Sequence, residues 1–147
     1  MDETEKTSET KDLRARISTL WIVVMFNMFF ADVLTLFIPK SLQDILSGST
    51  PIKITPGLML VMAVIIEIPI AMIFLSRVLK RGANRWANIV ASAITIAFVV
   101  GMGSLTPHYV FLAAAECVSL LAIIWLAWKR LDIDPVRLNP RPARTEG

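Results

Sequence analysis

Four long, predominantly apolar blocks, at residues 17–38, 56–79, 86–105 and 108–128, constrain this 147-residue chain more than any other feature. Each is about 20 residues long, and at ~1.5 Å rise per residue a helix of that length crosses a ~30 Å hydrocarbon core. Inside that core no water satisfies backbone N–H and C=O groups, so a spanning segment is a helix or part of a closed barrel. Barrel strands are ~10-residue segments of alternating polarity, and these blocks do not alternate. The expected fold is all-α, an integral membrane four-helix bundle. Composition agrees: 18% of residues are charged, against ~25% in an ordinary soluble domain.

The polar remainder sets the expected topology. Twelve of the fifteen Lys and Arg residues lie before the first block, between the second and third, or after the fourth, and Arg77 sits at the inner end of the second; Lys40 and Lys53 alone fall on the other side. Basic residues stay cytoplasmic, so both termini are expected in the cytoplasm and the chain in the cell membrane. Trp21, Trp86, Trp125 and Trp128 fall near those same ends, where interfacial anchors sit. Residues 1–16 read as a disordered cytoplasmic tail, and residues 129–147 as a basic, Pro-rich one near the anionic leaflet. The first block is too long for a cleavable signal core and lacks a small-residue exit, so it reads as a retained anchor. In the long outer connection, "SLQDIL" places Leu42, Ile45 and Leu46 on one face of a short interfacial helix. Thr55 followed by Pro56 marks a helix start.

Three acids lie inside the apolar blocks: Asp32, Glu67 and Glu116. Counted from the outer ends at ~1.5 Å per residue, Asp32 is about 9 Å deep, Glu116 about 12 Å and Glu67 about 16 Å. Asn27 matches Glu67 in depth. Intramembrane ionisable groups are costly and mark pathways or ligand sites. Ala63, Glu67 and Ala71 share one face of the second block, and small residues there permit close helix approach. Pro69 removes the hydrogen bond to the Ile65 carbonyl and is expected to bend that helix beside Glu67. Asn88, Ser92 and Thr95 form a secondary polar stripe on the third block. The blander reading treats these groups as interhelical glue worth about 0.6–2 kcal/mol per bond. The sharper one is a ligand-binding or proton-handling cluster of Glu67, Glu116, Asp32 and Asn27, with Glu67 at its centre.

Other chemistry is thin. Cys117 is the one cysteine, which excludes an internal disulfide and a cysteine-built zinc site. "GMGS" at 101–104 lacks the third glycine and the preceding strand of a dinucleotide loop, and reads as a loosened helix end. No catalytic residues, metal ligands or cofactor site are assigned. With its basic residues explained by topology, the chain is not expected to bind nucleic acid.

The stretches "LWIVVMFNMFFADVL", "IIEIPIAMIFLSRVLKRGANRWANIV" and "HYVFLAAAECVSLLAIIWLAWK" resemble a family of small prokaryotic four-helix membrane proteins of unknown function. The motifs that carry the resemblance are Asn27 with Asp32, Glu67 with Pro69, the run Arg85–Trp86–Ala87–Asn88, and Glu116. The architecture is also similar to the DoxX-like group, some of which associate with quinone or redox systems. The chain has no cysteine pair to support a thiol-redox role.

The favoured reading is a binding or accessory protein whose pocket takes a small amphiphile: a quinone, a lipid or an amine. A proton-coupled transporter of small cations working as a homo-oligomer is the second reading. A lipid-modifying membrane enzyme and a purely structural assembly subunit also stay open. The lipid bilayer is the partner common to all four.

Overall fold

A computed structural model describes residues 3–50 and 53–130. The described chain is all-α, with five helices: α1 (Glu3–Leu36), α2 (Pro39–Ser47), α3 (Pro56–Val78), α4 (Arg81–Met102) and α5 (Pro107–Arg130). α1, α3, α4 and α5 are long and apolar enough to cross a membrane. The protein is therefore a multi-pass membrane protein with lipid as its surroundings, and among the described residues a fifth, short helix joins the four long ones. The extra element is the "SLQDIL" segment. α2 has no buried residue, and a left-handed Gly48 (φ 70°) ends it.

The four long helices form an up-and-down ring in which α1 packs on α3 and α5, and α4 packs on α3 and α5. Each helix buries one stripe at three- and four-residue spacing, the pattern of left-handed bundles. On α1 the stripe is Leu13, Ile17, Trp21, Val24, Met28 and Ala31. On α5 it is Glu116, Leu120, Ile123 and Ala127. On α4 it is largely polar: Asn84, Asn88, Ser92 and Thr95 before Val99. α3 buries only Pro69, Met72 and Ser76. Its start is as the Thr-Pro pair predicts, with the Thr55 hydroxyl accepting from the Leu58 N–H at 3.2 Å.

Two expectations need correction. Residues 3–16 are not a disordered tail: α1 begins at Glu3 and runs unbroken into the span. Extending an existing helix carries no nucleation penalty, and Glu and Lys are good helix formers. Tertiary contacts hold the extension as well. Leu13 is buried, Arg14 Nη1 donates to the Arg77 carbonyl at 3.0 Å, and Arg81 Nη2 donates to Thr10 Oγ1 at 3.2 Å. Trp21 is not an interfacial anchor but a fully buried core residue. The expected C-terminal tail at 129–147 lies, beyond Arg130, outside the described residues.

Candidate functional site

The two ends of the ring handle their polar groups differently. At the end where α1 and α4 begin, the buried side chains are joined by hydrogen bonds. The Trp21 indole N–H crosses from α1 to α4 and donates to Asn88 Oδ1 at 2.8 Å. Asn88 Nδ2 donates to the Asn84 carbonyl at 2.8 Å and to Asn84 Oδ1 at 2.6 Å. Asn84 Nδ2 then donates to the Ser76 carbonyl at 2.7 Å, tying α4 to α3. Ser18 Oγ donates to the Ile73 carbonyl at 2.8 Å and accepts from Arg77 Nε at 2.9 Å. Cationic groups cap this end on aromatic faces: Arg85 lies 4.6 Å from the Trp128 ring centre and Lys129 lies 5.2 Å from that of Trp125.

At the opposite end a cavity of about 110 Å³ opens between the four long helices. α1 contributes Met28, Ala31 and Asp32, and α3 contributes Met62 and Ile66. α4 adds Phe98, Val99 and Met102, and α5 adds Tyr109 and Glu116. Tyr109 donates its hydroxyl to the Val99 carbonyl at 3.1 Å. Its ring lies over Gly103, where a Cβ would meet a Tyr109 ring carbon at 2.5 Å and the Val99 carbonyl oxygen at 2.7 Å. The glycine of "GMGS" is therefore what lets the ring close down on α4. Beside the cavity, Thr35 Oγ1 and His108 Nε2 lie 3.3 Å apart and link the ends of α1 and α5.

The lining holds two carboxyls and no basic side chain. Glu116 is 2% exposed and its Oε1 has no hydrogen-bond partner among the described residues. Asp32 is exposed and stands at the open side. A buried acceptor left without a donor is costly, more so when it is charged. Two carboxyls beside Phe98 and three methionines offer charge, a π face and polarisable sulfur to one small cation. Some 110 Å³ is less than the ~150 Å³ cavity that takes a benzene ring, so the space would admit only a small group.

Only part of the sequence-derived cluster comes together. Asp32 and Glu116 meet at the cavity; Asn27 and Glu67 do not line it. Asn27 is half-buried, one residue and ~100° around α1 from Met28. Glu67 is exposed on the outside of the ring, while Pro69, two residues later, is buried. Two residues are ~200° of helical turn, so the acid and the proline lie on opposite faces of α3. Of the secondary stripe, Asn88 belongs to the hydrogen-bonded end. Thr95 bonds back to the Ala91 carbonyl at 2.9 Å. Ser92 is fully buried and its Oγ has no partner among the described residues. Sequence reasoning assigned no site role to Tyr109, Phe98 or Asn84. The signals were there: Asn84 precedes Asn88 by one helical turn, and Tyr109 precedes Glu116 by two.

The model of a family described as of unknown function, DUF6326, matches residues 5–134, and the chain belongs to that family. No curated protein and no solved structure matches it. Nothing in these comparisons links the chain to the DoxX-like group.

Proposed function

We propose that this family member is a binding protein of the cell membrane, with both termini cytoplasmic, whose outward-opening cavity takes the cationic head of a small amphiphile such as an amine. The single observation behind the reading is Glu116: a buried carboxyl oxygen without a donor among the described residues, in a lining whose described residues include Asp32 and no basic group. A protonated amine would supply both the missing donor and the missing counter-charge. A quinone offers only acceptors to a carboxylate and fits less well. The hydrogen-bonded packing of the other end favours binding over transport, because polar side chains there are already spent on one another. Orientation rests on the placement of the basic residues.

Thermal unfolding of the detergent-solubilised full chain tests the site with octylammonium, a protonated primary amine, and two comparators of equal chain length, neutral octanol and anionic octanoate. The cation alone is expected to raise Tm, and Glu116→Gln to remove most of that rise. Equal stabilisation by all three probes, or a rise that survives Glu116→Gln, would overturn the reading. Orientation is tested in cells with single cysteines in a Cys117→Ser background. Gln43→Cys, on α2, should react with an impermeant maleimide in intact cells. Ala83→Cys, at the start of α4, should react only after permeabilisation. The reverse pattern would invert the topology.

A further inference from the structure

We infer that α3 is the contact between two copies of this chain, with Glu67 of one copy hydrogen-bonded to Glu67 of the other. α3 is the least covered span: 11% of its apolar stretch is buried within the ring, against 28% for each of the other three. An uncovered apolar face needs nothing but lipid. This face is different, because Glu67 stands on its midline. Leu60 and Phe74, each 67% exposed, lie seven residues before and after it and share its outward direction.

Counted along α3, Glu67 is about 16 Å from the Pro56 end, near the middle of a ~30 Å core. Acyl chains offer it no donor, no acceptor and no counter-charge, and acids within spans almost always face protein or water. Among the described residues no hydrogen bond reaches it either, since the ring lies on the opposite side of the helix. The occupant of this face must therefore bring a polar group to that depth. A second copy does so by symmetry. A two-fold axis along the membrane normal sets every residue of one α3 against its counterpart at equal depth. Carboxyl pairs are self-complementary when one of them carries a proton, because it then donates to the other. Ala63 and Ala71, one turn to either side of Glu67, are small enough for the two helices to approach until such a bond can form.

The inference is independent of the cavity reading, because Glu67 does not line the cavity. The test uses the full chain in liposomes at high lipid dilution, in a Cys117→Ser background. Ala63→Cys and Ala71→Cys are oxidised with copper phenanthroline beside Val100→Cys on α4 and Phe111→Cys on α5, both exposed positions on other spans. The two α3 cysteines are expected to give mostly disulfide-linked dimer, and the two controls only background. Single-molecule photobleaching of unmodified protein then measures the dimer constant. Glu67→Leu should weaken it about tenfold, whereas Glu67→Gln, which keeps a donor and an acceptor, should leave it within about threefold. Equal cross-linking at all four positions, a monomer at every dilution, or a dimer undiminished by Glu67→Leu would each overturn the inference. A monomer would assign the face to lipid or to another protein.

Discussion

The two ends of this bundle face the same physical problem and resolve it in opposite ways. Both carry polar side chains at membrane depth, where an unpaired group costs more than in water. At the basic end the buried indole and amides are paired within the chain: Trp21 to Asn88, Asn88 to Asn84, Asn84 to the Ser76 carbonyl. At the acidic end, Glu116 Oε1 has none among the described residues, although it is almost as deeply buried. A satisfied network specifies packing; an unsatisfied acceptor in a cavity leaves room for something else to satisfy it. The difference separates structural polarity from candidate functional polarity better than residue type does, since asparagine and glutamate are equally anomalous in an apolar span.

The contrast predicts stability changes of opposite sign. The largest belongs to the satisfied end. Asn88→Ala strips the partner from the Trp21 indole and one from Asn84, and should destabilise the protein by about 2 kcal/mol in reversible unfolding from detergent micelles. A cost near zero would mean that the network does not hold the bundle. At the open end, Glu116→Leu removes a buried acceptor that has no donor. It should leave the fold intact and stabilise it by about 1 kcal/mol in the same assay, while abolishing binding of the cationic probe. Destabilisation of several kcal/mol would place Glu116 with the structural groups instead. The smallest change is expected from Asp32→Asn. Asp32 is exposed, so stability should move by less than about 0.5 kcal/mol. Affinity for the probe should fall about three- to tenfold with the loss of the second charge. Unchanged affinity would reduce the site to Glu116 alone.

The outline of the fold was legible because it depends on length and polarity. Four apolar blocks give four long helices, and Thr55 with Pro56 marks a cap that the structure shows. The α1 extension was not legible. Composition says that residues 3–16 are polar, but only contacts from Arg14 to the Arg77 carbonyl and from Arg81 to Thr10 show what holds them helical. Trp21 misled for a related reason: tryptophan at a span end is usually an anchor, and a buried amide one ring-length away turned it into a core residue.

The acids show where sequence reading reaches its limit. Depth along a span follows from counting residues, and it placed Asp32, Glu67 and Glu116 in one half of the membrane. Direction around the helix is fixed only relative to neighbouring residues, until something shows which face meets the bundle. On α3 the buried stripe is Pro69, Met72 and Ser76, which turns Glu67 outward; on α5 the stripe begins at Glu116 itself and turns it in. By itself, then, the sequence determined that four long apolar helices form and how far apart the polar residues lie along each, because rise per residue is nearly constant. Only the tertiary structure decided that Asp32 and Glu116 share a cavity while Glu67 faces away from it, because the rotation of each helix is set by packing against the other three.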